Sequence, residues 1–205
     1  MNSREKILEA AIELFAEKGK HGARMEELAL RAGVNKAMVY YYHTSKDLLY
    51  NEVLKITLTR IFEKIYETYE KTSLPDDPLM KVKRFLIAYF EAFSSQKNYT
   101  KIGIDAIMNE PEQFRIAFMT MMNNGKSNLP HEIFEVFVQG MDDGIFRDIN
   151  YKHVMISIIG MNLVHYFGKS IAQAMLNWEI SDDQAFLKER EESNIDLLLN
   201  GILKK

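Results

Sequence analysis

The run Met25-Glu26-Glu27-Leu28-Ala29-Leu30-Arg31-Ala32-Gly33-Val34-Asn35-Lys36-Ala37-Met38-Val39-Tyr40-Tyr41-Tyr42 decides how this chain folds. Met25, Leu28, Ala29 and Ala32 recur at i, i+3, i+4 and i+7, which places them on one face of a helix. Gly33 ends that helix, because a left-handed turn costs glycine no Cβ clash. Asn35 can then cap a new helix from Lys36. Two short helices across a Gly-Val-Asn turn form a helix-turn-helix pattern, in which the second helix is the one that enters a DNA major groove.

Outward from this core, Ile7, Ala11, Leu14 and Phe15 follow i, i+4, i+7 and i+8, so a first helix is expected from a Ser3 cap to about Lys18, with Gly19 at its C-terminal turn. A long amphipathic helix follows from about 45 to 71, carrying Leu48, Leu49, Val53, Ile56, Ile61, Ile65 and Tyr69, until Leu74-Pro75-Asp76-Asp77-Pro78 breaks it. Further helices are expected at about 79–95, 100–109, 112–124, 131–143, 151–176, with a possible break at Gly168, and 183–203. No alternating run of strand length stands out. The predicted fold is all-α. A three-helix head, residues 1–47, is joined through the fourth helix to a helical domain, residues 48–205.

Composition narrows the function. The chain has 205 residues and no cysteine, which excludes disulfides, thiolate metal sites and thiol nucleophiles. No apolar leader opens the sequence, and the most apolar region, about 154–167, is interrupted by Ser157, Gly160, Asn162 and His165 and is too short to span a bilayer. A cytoplasmic protein without membrane association is expected. The net charge of −3 argues against a nucleic-acid partner until its distribution is read. Residues 1–50 hold eight Lys and Arg against seven Asp and Glu, a local +1, and the stretch 32–46 contains no acid, while Lys36, Lys46, His43 and three tyrosines fall inside it. A surface meeting phosphates needs that absence.

The wider run Phe15-Ala16-Glu17-Lys18-Gly19, Met25 to Ala29, Ala32-Gly33-Val34-Asn35-Lys36, Val39-Tyr40-Tyr41-Tyr42 and Ser45-Lys46-Asp47-Leu48-Leu49 resembles the DNA-binding domain of the tetracycline-repressor (TetR) family over about the first 50 residues. Gly140-Met141-Asp142-Asp143-Gly144-Ile145-Phe146-Arg147 is similar to a turn of that family, less specifically. The resemblance implies that Arg24 begins the second helix and faces phosphate, that Lys36, Ala37 and Met38 meet base edges, and that Tyr40, Tyr41, Tyr42 and Lys46 contact the backbone or groove wall. It also implies a homodimer on a double-stranded DNA operator, and repression relieved by a small apolar or amphipathic effector held in the C-terminal domain, which is also the dimerisation domain. Three positions depart from the family pattern: Arg24 replaces a Thr or Ser cap, Met38 a frequent Thr, and His43 the Phe that commonly closes the small core.

Plainer readings are set beside these. Neighbouring residues on a helix are about 100° apart, so three consecutive tyrosines cannot face one way, and at least one is expected in the core. His43 reads as structural. His131 and Glu135, one turn apart, read as a solvated pair rather than metal ligands. No catalytic signature, phosphate-cradling glycine loop or metal motif is present, so neither an enzyme nor a resident cofactor or metal is expected. In the C-terminal domain, methionines and aromatics on several helices suit an adaptable cavity, with Phe90, Phe93, Met108, Phe118, Met122, Met155 and Tyr166 as apolar candidates. Tyr89, Asn162 and His165 are the polar ones, although Asn162 and His165 can instead face a dimer partner. Val154, Ile158 and Met161, with Phe186, Ile195, Leu198 and Ile202, are the expected apolar stripe of a dimer bundle. Two other readings stand: a helical small-molecule carrier or enzyme whose N-terminal motif is structural, and a DNA-binding dimer without a ligand.

Overall fold

A computed structural model describes residues 2–123 and 129–204, except for the side chains of 162 and 165–172. Its regular structure is helical: α1 Ser3–Gly22, α2 Met25–Arg31, α3 Lys36–Tyr42, α4 Lys46–Lys71, α5 Pro78–Ser95, α6 Lys97–Asn109, α7 Pro111–Asn123, α8 Leu129–Asp142, α9 Tyr151–Leu176 and α10 Asp183–Ile202. No strand forms among the described residues; one isolated antiparallel bridge joins Phe146 to Leu203.

Local chemistry sets the helix ends. Asn2, not Ser3, caps α1: its side chain accepts from the Glu5 amide while the Glu5 carboxylate accepts from the Asn2 amide, a reciprocal capping box. Gly19 stands at φ 66° inside α1 and kinks it. The Asp77 side chain accepts from the Met80 amide and Pro78 takes the first helical position of α5, where a missing N–H is harmless. The helix α9 runs through Gly168 without the break considered from sequence.

The chain forms two compact units. Met1–Glu63 and Gln96–Lys126 make the first, and Lys64–Ser95 with Ser127–Lys205 the second. In the first, Ile7, Ala11, Leu14 and Phe15 of α1 pack with Leu28 of α2, Val39 of α3 and Leu49, Tyr50 and Val53 of α4. The same core takes in Ile102 and Ala106 of α6 and Ala117 of α7. Each fully buried aliphatic or aromatic side chain contributes roughly 1.5–3 kcal/mol. Leu48, expected on the apolar face of α4, is instead exposed, because its neighbours Leu49 and Tyr50 take the core positions.

The second unit packs α5 against α8, α9 and α10. Here Gly140 is required: a Cβ on it would lie 2.2 Å from the ring of the buried Phe146. The amides of Ile145 and Phe146 both donate to the Gly140 carbonyl, Gly144 turns at φ 69°, and the Arg147 amide and Nε donate to the carbonyls of Ile202 and Gly201. This turn pins the end of α10. The stripe expected at a dimer interface is corrected here. Ile158, Phe186, Ile195, Leu198 and Ile202 are buried in the chain's own core and Val154 and Met161 are half-buried, while Ile156, Ile159, Val164, Met175 and Leu176 on α9 and Leu197 on α10 are among the exposed apolar residues.

Candidate nucleic-acid interface

The two helices of the motif are fixed from beneath. Leu28, Ala29 and Ala32 of the first and Val39 of the second are buried, and between them Gly33 at φ 64° lets the Val34 amide reach the Ala29 carbonyl. The Asn35 side chain then accepts from the Met38 amide and starts α3. What this packing leaves outside is Lys36, Ala37, Tyr40, Tyr41 and Tyr42, with Met38 half-buried. None of the three tyrosines reaches the core, against expectation: Val39 takes the single inward position that a seven-residue helix offers here. Tyr41 and Tyr42 instead meet edge to face on the surface, their centroids 5.2 Å apart.

Most of the head's cations are already neutralised. Lys18 pairs with Glu27 at 2.7 Å, Arg31 with Glu17 at 2.6 Å and Glu27 at 2.8 Å, and Arg4 with Glu52. Lys20 is buried, with Nζ 2.9 Å from Glu110 and 3.0 Å from Asp47. Burial opposes its charge, but the two carboxylate hydrogen bonds outweigh that and hold the ammonium above its ordinary range. Of the eight basic residues in the first 50, only Lys6, Arg24 and Lys46 form no ion pair among the described residues. Arg24 is exposed at the N-cap of α2 and makes no side-chain cap bond. The Lys46 ammonium donates to the Ala23 carbonyl at 3.0 Å, which fixes it beside Arg24 with its charge unspent. Lys36 pairs with Glu26, whose hydrogen bond raises the lysine pKa and lowers that of the acid, and it lies 5.8 Å from the Tyr40 ring centroid.

His43 ends α3, its amide donating to the Val39 carbonyl. Its ring is buried, with Nδ1 3.3 Å from Glu52 and Nε2 without a partner among the described residues. Burial pushes its pKa down, Glu52 opposes this, and Arg4 adds to it. His131 and Glu135 lie 3.9 Å apart and are both exposed. No group of three metal-ligating side chains occurs among the described residues.

The expected effector residues are dispersed. In the second unit, Phe90 is buried, Phe93 packs its ring 4.8 Å from that of Tyr89, and Met155 is half-buried. A space of about 20 Å3, room for one water, lies beside Phe90, Met161, Glu191 and Asn194. An open cleft of about 310 Å3 lies elsewhere, between the start of α9 and the end of α10, and touches none of the named candidates. In the first unit, Phe118 stacks on Phe114 and meets Phe62 edge to face, Met122 is half-buried and Met108 is 64% exposed. Asn162, His165 and Tyr166 lie outside the described side chains. Sequence reasoning did not single out Glu26 or the Lys20, Asp47 and Glu110 cluster. Local spacing carries no sign of a pair 90 residues apart, and an acid early in a helix reads as an ordinary dipole-friendly residue.

Comparison with known proteins adds the following. Residues 7–53 match the model of bacterial regulatory proteins, tetR family. The chain is 22% identical over 206 residues to the HTH-type transcriptional repressor KstR2 of Mycobacterium tuberculosis, covering 100% of this chain and 96% of that one. It is 25% identical over 134 residues to the biofilm operon icaADBC HTH-type negative transcriptional regulator IcaR of Staphylococcus aureus, or 65% of this chain and 69% of that one. The solved structure of the ketosteroid transcriptional regulator KstR2 superposes with a TM-score of 0.63 at 21% identity, covering 100% and 96% of the two chains. The TetR family regulator PfmR of Thermus thermophilus gives 0.66 at 21%, covering 95% and 97%. At these identities the superpositions speak to the fold.

Proposed function

We propose, from the premise that this chain is a transcriptional regulator of the TetR family, that it is a dimeric repressor released from a pseudo-palindromic operator by a small apolar or amphipathic effector. The observation that carries the DNA-binding part is the charge pattern of the head. Most cations are neutralised internally, whereas Arg24 and Lys46 stand together, unpaired with any acid among the described residues, at one end of α2. The exposed start of α3 supplies Lys36, Ala37 and Met38 to base edges, and Tyr40, Tyr41 and Tyr42 offer hydroxyls to the backbone. A two-fold dimer sets two such helices about 34–36 Å apart, in successive major grooves.

The exposed apolar residues Ile156, Ile159 and Val164 of α9 and Leu197 of α10 support a second copy of the chain as partner, in a four-helix bundle. Release needs only a coupling of about 1–3 kcal/mol between effector and operator. Phe90, Phe93 and Met155 are the described residues of the second unit offered to the effector, and the ketosteroid in the name of KstR2 fits an apolar class of ligand. No described helix is long and apolar enough to cross a membrane, and the reading puts the protein with DNA in the cytoplasm.

Selection of bound duplex from a random pool tests this. An inverted repeat whose affinity falls steeply with salt is expected; absence of salt-dependent duplex binding would leave a carrier with a structural N-terminal motif. Sedimentation at micromolar concentration should give a dimer.

A further inference from the structure

Glu26 is misplaced for a surface that meets phosphate. It is the second residue of α2, 64% exposed at its side chain, and its carboxylate takes the ammonium of Lys36, the first residue of α3. The head's other Lys and Arg pairs lie within α2 or tie α1 to α2, α4 and beyond; among the described residues this is the one Lys or Arg pair with a partner on α3. It is no structural staple, since an exposed pair adds little stability and the helices are already docked through Leu28, Ala29 and Val39. Both charges stay within reach of a nucleic acid, and Lys36 is steadied over the Tyr40 ring.

A carboxylate here repels the DNA backbone and competes with phosphate for Lys36, so it weakens binding to arbitrary sequence. One surface suits the pair as it stands. In the major groove a G·C base pair presents the guanine N7 and O6 acceptors beside the cytosine N4 amino donor. An ammonium next to a carboxylate offers the complementary donor and acceptor.

We propose that Glu26 is a specificity-determining residue, reading with Lys36 one G·C base pair in each half-site: the ammonium on guanine, the carboxylate on the cytosine amino group. This rests on the DNA-binding reading above. Where the base pair is absent, the carboxylate remains unmatched and the site is rejected.

The test uses the full chain, wild type and Glu26→Ala, on the selected operator, all its single base-pair replacements and a random duplex at one salt concentration. Wild type should prefer G·C at one position of each half-site by about fivefold or more. Glu26→Ala should lose that preference at that position alone and bind random duplex about two- to fivefold more tightly, with an unchanged melting temperature because the side chain is exposed. Lys36→Ala should abolish the same preference, and the double variant should lose no more of it than either single one. A Glu26→Ala protein with every base preference intact, or with unchanged affinity for random duplex, overturns the inference while leaving DNA binding in place. A wild type that binds no duplex overturns both.

Discussion

Replacing Lys20 by methionine should unfold the first unit well before the rest of the surface chemistry matters. Lys20 and Glu110 are both about nine-tenths buried and 2.9 Å apart. At an effective dielectric of about 20 their attraction is roughly 6 kcal/mol, set against a desolvation penalty of several kcal/mol for each ion, so the pair as a whole is near neutral. Removing one member is different. Glu110 would keep only the exposed His21, 2.9 Å away, as a partner for a buried carboxylate. The expected loss is about 3 kcal/mol, which for a chain of this length lowers the melting temperature by roughly 6–12 °C. Asp47 is 73% exposed and re-solvates, so it adds little. Lys20→Met with Glu110→Leu removes both charges from the same seat and should recover most of the loss. The assay is urea unfolding of the four members of the cycle. A single Lys20→Met within about 1 kcal/mol of wild type, or a double variant equal to the sum of the singles, would refute the reasoning.

Arg24→Ala should reduce operator affinity and lower the salt slope by about one, and by more than Lys36→Ala does, because the Lys36 charge is already balanced by Glu26; equal slopes for wild type and Arg24→Ala would contradict this. The buried His43 titrates below its ordinary 6.5, so between the two values the unfolded chain binds more protons and stability falls as pH drops below about 6.5. His43→Phe should flatten melting temperature between pH 5 and 7, and an unchanged pH dependence would reassign the effect. Gly140→Ala should destabilise the second unit by about 1–3 kcal/mol in thermal unfolding, since its Cβ would lie 2.2 Å from the Phe146 ring.

The helices were legible because their signals are local. The i, i+3, i+4, i+7 spacing of Met25, Leu28, Ala29 and Ala32 predicts α2, and the turn at Gly33 and cap at Asn35 stand where those residues' conformational preferences put them. The exposure of Lys36, Arg24 and the tyrosines also follows from short-range pattern once Val39 is seen to fill the inward position. What was illegible depends on distant partners. Ile158, Ile195 and Leu198 read as a free stripe, because nothing local says which of two apolar faces a helix spends on its own core. Glu26 was passed over because its meaning lies in the one side chain it touches, ten residues away.

The first unit is stitched from two stretches, and that has a consequence for how the protein is made and reused. A ribosome that has delivered Met1–Glu63 has yet to make Ile102, Ala106 and Ala117, so the recognition motif emerges with one flank of its core unfilled and seals only when α6 and α7 arrive. Long sequence separations of this kind slow folding, because a large loop must close before its contacts reward it. The reading head is therefore not a portable cartridge. Spliced as residues 1–47 onto a foreign dimeriser, it would carry the α3 residues but leave the Lys20 ammonium with only the exposed Asp47 in place of the buried Glu110, and the Lys20 amide without its Asp105 acceptor.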